Sequence, residues 1–535
     1  MAGPELCLSG EQIDEIASGQ PGSATLALLR TGQAALRRTL LVAAYRHVGE
    51  PGAAARALIG RAAGAAREPV EEIVTRPFAH DWGLRVLAAP PEEALRELNI
   101  LAAAVALRAG IDLDVSLTAP DGELFLPGAG LADGLHCATI AVRQTGGAMT
   151  LGCPHPGVPP PRWSPVRTLA VAEDWNVVLE DQEPRRITLG QPRAITPSAV
   201  RAAEQLLRPA WSAVEAVFPG YAPTVRHLLR TLSPLAGDGS AATSSSSPVA
   251  CGCVALDLGV PIEIAALLLI HETQHSLLTA AEDLTPLCGE PGGERFRAPW
   301  KHTPRPAPAM LQGVFAHAAV IDYWLARRHA DPDDREALWQ FAYLREVTVP
   351  AMHDLRPAAA LTAAGRRLLD GLIERGAAWS TVDVPADVAD LARRAGTAEA
   401  TRWRLANLRP ADGEAELLAT AYLAGAGRPT PAAPRREGQA PPPPAPGGVI
   451  GRLHAAGRGH GTVPDHPDLT EALESVGTRP TDDEAWIVLA TAAGAPRLLA
   501  ERPDLVRETL LVMRARQGPA APPADRLAAW LSGGE

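Results

Sequence analysis

The chain has 535 residues, 46% of them hydrophobic and 21% charged, and carries a net charge of −11. That composition reads as globular and spacious enough for roughly two to four domains. The acidic balance, without a basic stripe interleaved with aromatics, argues against a nucleic-acid partner. No charged-then-apolar leader and no apolar run of about 20 residues is seen, so a cytoplasmic protein without a membrane partner is expected. The six cysteines lack the short regular spacing of a disulfide framework. Cys251-Gly-Cys253 also lacks the two-residue gap of a zinc knuckle, so small buried residues are expected there. Of the 50 basic residues all but Lys301 are arginine, a compositional drift in which arginine replaces lysine wherever either serves.

In chain order, residues 10–110 carry apolar residues at three- and four-residue spacing and predict helices. From about 111 the period becomes two. Ile111 to Leu117 and Glu123 to Leu126 are expected to form a hairpin across Asp121-Gly122, and further strands are expected at 138–142, 149–151 and 176–180. Helices are predicted at Pro197 to Val217 and Val225 to Leu232, followed by the polar stretch 237–247 and a strand from Val249 to Leu256. After a long central helix, Pro308 to Arg328 and 336–408 read as helical, with breaks at Pro350 and Pro385. Pro441 to Pro444 mark a semi-rigid linker, and 482–516 a small helical unit. The expected fold class is a predominantly helical α+β protein. Its parts are an N-terminal α+β region over 1–196, a catalytic helical region over 197–425, a linker over 426–450 and a helical unit over 451–535.

The central helix carries the chemistry. It contains His271-Glu272-Thr273-Gln274-His275 in a run free of breakers from Ile262 to Thr285. Residues four apart lie one above the other on a helix, so the two imidazoles share a face and can chelate one metal ion. Glu272 stands beside them as a base or hydrogen-bond partner. Ile264, Leu267, Leu268 and Leu278 continue that face, which predicts a buried helix. Two histidines hold a divalent ion weakly, so a third ligand is expected. Glu282 and Asp283 lie about 10 Å or more along the axis at 1.5 Å per residue. His317 is the stronger candidate, because Gly313, Ala316 and Ala319 around it would let its helix approach another closely. His302 and His329 read as loop and helix-end residues. Arg305, between Pro304 and Pro306, is a candidate fork for a small carboxylate, with Arg402 and Arg404 as rivals.

From about residue 10 to 517 the chain resembles the HExxH-type peptide-modifying proteins encoded beside ribosomally synthesised peptide natural products. The resemblance is carried by the His-Glu-x-Gln-His element ending in Asp283-Leu284, by Ala298-Pro-Trp300 with Pro304-Arg-Pro306, and by Gln312-Gly-Val-Phe-Ala-His317 with Tyr323-Trp324. Leu107-Arg-Ala-Gly-Ile-Asp112 and Arg402-Trp-Arg-Leu405 add to it. It implies an iron(II)- and 2-oxoglutarate-dependent hydroxylase acting at the β-carbon of a residue in a ribosomal precursor peptide. On that basis His271, His275 and His317 would hold iron, Glu272 would act from behind the ligands, and Arg305, Lys301 or Arg404 would meet 2-oxoglutarate. Lys301 stands where arginine is expected, which leaves the role of that position open. Spacing alone points instead to a zinc peptidase with Glu272 as the base. A third reading is a peptide-binding scaffold whose metal is structural.

Overall fold

The computed structural model describes residues 6–119, 122–153, 155, 158–193, 196–237, 243–290, 292–436, 438 and 447–533. Asp121 of the expected hairpin turn, residues 238–242 of the polar stretch and Pro441 to Pro444 lie outside the described residues. The chain is predominantly helical with several small sheets, an α+β protein. It forms two compact units, Met1–Pro286 and Leu287–Glu535. The division thus falls inside the 197–425 stretch that composition groups together, rather than at 196, 425 or 450. Among the described residues each unit has core clusters of its own. The Ile262–Glu282 helix packs among the Ser23–Val48, Pro197–Val217 and Ala222–Leu228 helices. The chain beyond Leu287 builds its own core, in which the fully buried Trp339 and Trp486 join helices that composition had assigned to different domains.

In the first unit, helices from Gly10–Ala17 to Pro91–Arg108 precede the strands, as the spacing predicts. The alternation over 111–117 does form a strand, Leu113–Thr118, but its partner is Thr139–Thr145. Leu124–Leu126 turns back at once on Gly130–Asp133, so among the described residues it does not pair with Leu113–Thr118 as the expected hairpin would. Pairing Leu117 with Ile140 and Val115 with Val142 gives the strand a larger apolar face than the short 124–126 segment offers. Cys137 and Cys153 are joined by a disulfide flanking the Thr139–Thr145 and Ala148–Gly152 hairpin, where no disulfide was expected. Cys251 and Cys253 are buried, as anticipated.

Among the described residues a five-stranded mixed sheet carries the Ile262–Glu282 helix. Its order runs from Ser244–Ser245 at one edge through Cys253–Asp257, Thr231–Leu235 and Trp175–Leu179 to Arg167–Ala172. The three inner strands are parallel, and both outer strands run against their neighbours. Thr231–Leu235 lies where the Val225 to Leu232 helix was expected to end. The helix stops at Leu228, and the strand is buried at every position, so it shows no alternation to read. The strand expected over 249–256 forms as Cys253–Asp257 after a single 3-10 turn at Pro248–Ala250.

In the second unit the helices include Ala307–Ala330, Arg335–Leu355, Ala363–Ser380, Ala386–Asn407 and Pro503–Gln517. Pro350 does not break its helix but sits inside Arg335–Leu355, while Pro385 caps the N-terminus of Ala386–Asn407. An interior proline removes one hydrogen bond, and here burial of Val347, Ala351, Met352 and Leu355 outweighs that loss. A two-residue ladder pairs Leu408–Arg409 with Arg435–Arg436. Among the described residues no helix is long and apolar enough to cross a membrane.

Candidate metal site

The Ile262–Glu282 helix is tied to the sheet at its C-terminal half. The Gly252 N–H donates to Ser276 Oγ at 3.3 Å, and Cys251 Sγ donates to the Ser276 carbonyl at 3.4 Å. Gly252 has φ +92°, and a Cβ there would stand 3.0 Å from the Leu228 carbonyl, so only glycine makes this turn without strain. The buried Arg37 clamps the same corner, donating to the carbonyls of Thr75 and Cys251, each at 2.6 Å. Burial pushes the Arg37 guanidinium down, opposed in part by the nearby Cys251 and Asp283.

On this fixed helix His271 and His275 stand as the four-residue spacing requires. Their Nε2 atoms lie 3.3 Å apart, with ring centroids 4.8 Å apart and planes at 89°. Two metal–nitrogen bonds of about 2.1 Å span about 3.4 Å at a tetrahedral angle and about 3.0 Å at a right angle. The pair therefore fits one divalent ion held through both Nε2 atoms. Both rings are half-buried, as are Ile264, Leu267 and Leu268 before them, while the faces through Ala265, Leu269, Thr273 and Leu277 are buried. The helix is mostly buried, and its histidine face is half-buried from Ile264 to His275 and fully buried at Leu278.

Glu272 points elsewhere. It is 4% exposed, and its Oε1 accepts a hydrogen bond from Ser244 Oγ at 2.7 Å. The edge strand thus reaches the helix through the Ser244 hydroxyl, a contact that sequence spacing does not indicate. Asp283 is engaged by Gln33, whose Nε2 donates to Oδ2 at 2.6 Å. Burial, and then the neighbouring Asp283, push the Glu282 carboxyl up. Both acids belong to the far end of the helix, in agreement with their distance along its axis. Gln274 is fully buried, and neither its Oε1 nor its Nε2 has a hydrogen-bond partner among the described residues. A buried amide left so costs stability or holds an ordered water.

The remaining predicted residues belong to the second unit. His317 is half-buried, its Nδ1 lies 2.9 Å from the Gly313 carbonyl, and its ring stacks on Trp300 with centroids 4.0 Å apart at 18°. A carbonyl accepts only, so Nδ1 carries the proton and Nε2 the lone pair, the tautomer a metal ligand needs. Gly313 serves Trp300, since a Cβ there would stand 2.3 Å from the indole ring. The small-residue face thus has an occupant within its own unit. Arg305 pairs its backbone with Phe296, and its half-buried guanidinium has no hydrogen-bond partner among the described residues. Lys301 is exposed in a turn closed by its N–H and the Ala298 carbonyl. Arg404 donates to the Ala500 carbonyl at 2.8 Å, and burial pushes its guanidinium down, as it does for Arg402. Among the described residues no group of three or more His, Cys, Asp or Glu is arranged to hold a metal ion.

The chain matches no known protein family and no curated protein.

Proposed function

We propose that the protein is an iron(II)- and 2-oxoglutarate-dependent hydroxylase that acts on the β-carbon of a residue in a ribosomally synthesised precursor peptide. The single observation that carries a metal-dependent activity is the 3.3 Å separation of the His271 and His275 Nε2 atoms on a half-buried stripe. The choice of iron and 2-oxoglutarate rests on the resemblance carried by residues 271–284, 298–306 and 312–324. In this reading His271 and His275 hold the ion through their Nε2 atoms, while the resemblance names His317 as a further ligand and Arg305, Lys301 or Arg404 for the distal carboxylate of 2-oxoglutarate. Iron with 2-oxoglutarate and dioxygen supplies hydroxylation of an unactivated C–H bond, with succinate and carbon dioxide as co-products.

The protein's own residues do the rest. The Gly313 carbonyl holds the His317 ring in one tautomer, and Trp300 holds its plane. Ser244 orients Glu272, which stays behind the ligands as a buried hydrogen-bonding group. Ser244–Ser245 is the outermost strand of its sheet among the described residues, so an extended peptide can add to it through main-chain hydrogen bonds.

A zinc peptidase is the second reading, favoured by the position of Glu272 next to the histidine pair with one oxygen held by Ser244. There Glu272 would take the proton of the attacking water. One experiment separates the two. Protein loaded with iron(II) and 2-oxoglutarate is given its peptide in air. Succinate, and a peptide heavier by one oxygen atom, support the hydroxylase. Zinc-dependent cleavage into two fragments without 2-oxoglutarate overturns it.

A further inference from the structure

A cavity of about 210 Å³ lies in the first unit, and among the described residues none from the histidine-bearing helix lines it. The Ala79–Ala88 and Pro91–Arg108 helices, the Leu124–Leu126 strand and the 3-10 turn at Pro184–Leu189 supply most of its wall. Part of that wall is apolar. Trp82 and Leu124 are buried there, and Ile100 and Phe125 are half-buried. Four guanidinium groups share the lining, from Arg76, Arg85, Arg96 and Arg185. Arg76 Cζ lies 5.6 Å from the centroid of the Phe125 ring, so charge and aromatic surface stand together.

The neighbouring acids balance these cations unevenly. Asp81 serves two of them, accepting from Arg85 Nε at 2.9 Å and lying 3.4 Å from Arg185 Nε. Among the described residues that 3.4 Å contact is the one ion pair of the Arg185 guanidinium, which makes no hydrogen bond. Glu183 is committed on both oxygens, to the Arg185 backbone N–H at 3.2 Å and to Arg76 Nη2 at 2.7 Å. Arg96 lies 3.3 Å from Glu93 and 3.9 Å from Glu97. Burial pushes the Glu97 carboxyl up, which favours its neutral form. Glu123 is exposed, where water weakens its field. The lining therefore carries surplus positive charge, and the Arg185 fork is its least satisfied part.

Volume sets the size of an occupant. A dry cavity of about 150 Å³ accommodates benzene, and a water molecule takes about 30 Å³ of liquid. The 210 Å³ here thus holds one six-membered ring with a small polar group beside it. A planar guanidinium fork matches the two oxygens of a carboxylate, and aromatic walls suit a ring. We propose that this cavity binds a small aromatic carboxylate, its charge held by the Arg185 fork and its ring against Trp82 and Phe125. The site stands independently of the histidine pair and of the reaction assigned to it.

The test uses the full-length, metal-free protein, so that the histidine pair contributes nothing. Phenylacetate, acetate and 2-phenylethanol are titrated calorimetrically at constant ionic strength, with chloride as the balancing ion. Phenylacetate should bind saturably, and acetate, which lacks the ring, and 2-phenylethanol, which lacks the charge, should each bind at least about tenfold more weakly. The Arg185 side chain is 42% exposed on a 3-10 turn, so Arg185→Gln leaves the fold intact. It should weaken phenylacetate binding about tenfold or more, the worth of a charge-assisted hydrogen bond. Phe125→Leu should weaken it about threefold or more, and Arg185→Gln decides alone if that variant does not fold. Failure of phenylacetate to bind saturably up to about 10 mM, well above a millimolar Kd, overturns the proposal. Equal binding of either control overturns it too, as does unaltered binding by Arg185→Gln.

Discussion

Ser244 Oγ donates to Glu272 Oε1 across 2.7 Å, linking the outermost strand of the mixed sheet to the buried side of the helix that bears both histidines. Glu272 is 4% exposed, so this is a bond between a hydroxyl and a carboxylate largely removed from water. Removing one partner of such a bond leaves the other unsatisfied. Ser244→Ala should therefore lower stability by about 1–3 kcal/mol, read as a fall in the urea midpoint. A midpoint within error of the wild type would show that water replaces the serine. Glu272→Gln keeps a side chain of similar shape, and partial hydroxylation should survive it. A peptidase would lose nearly all activity in the same variant.

His271→Ala and His275→Ala should each abolish stoichiometric metal binding while leaving the circular dichroism of the chain unchanged. Both rings are only half-buried, so their loss opens no large cavity. Metal analysis of the double variant is the strictest measurement, since stoichiometric metal retained there would remove the site.

Gln274 lies between the two histidines in sequence but has no part in the pair. Its amide is fully buried without a partner among the described residues. Gln274→Met has nearly the same volume and removes two unsatisfied polar atoms. It should raise the urea midpoint, with a gain of about 1–2 kcal/mol. A loss of that size would mean instead that an ordered water satisfies the amide.

The pH dependence of stability should carry the signature of Glu180. Burial pushes its carboxyl up from 4.5 to about 7, against the pull of Arg76 and with the push of Glu183. An acid whose folded pKa is raised favours the fold in its protonated form. Below about pH 4.5 both states hold the proton, and Glu180 brings no penalty. Between 4.5 and 7 the unfolded chain releases its proton while the fold retains it, so stability falls as pH rises and levels off above 7. The loss should be about 2–3 kcal/mol, and Glu180→Gln should remove it. Urea midpoints of the two proteins at pH 4.5, 6 and 8 test this, and parallel curves would exclude it.

The element types and the histidine pair were legible because each rests on short-range periodicity. Four-residue spacing places His271 and His275 on one face, close enough that side-chain rotation brings their Nε2 atoms to 3.3 Å. What could not be read was pairing between distant segments. The alternation over 113–118 announces a strand but not that Ile140 and Val142 lie across from it. Thr231–Leu235 is buried on both faces and therefore has no period. The bond from Ser244 to Glu272 joins residues 28 positions apart through a polar stretch with no pattern.

The edge strand carries one more implication. Ser244 pairs with Leu256 and Ser245 with Ala255, and the seven residues from Ser246 to Gly252 leave little slack between this strand and its neighbour. Its register is consequently set by the core of the sheet. In any strand added alongside, successive side chains point to opposite faces. A peptide docked there would offer the helix its odd-numbered or its even-numbered residues, never both. Shifting a modifiable residue by one position along such a peptide should silence it, and shifting it by two should return it to the same face.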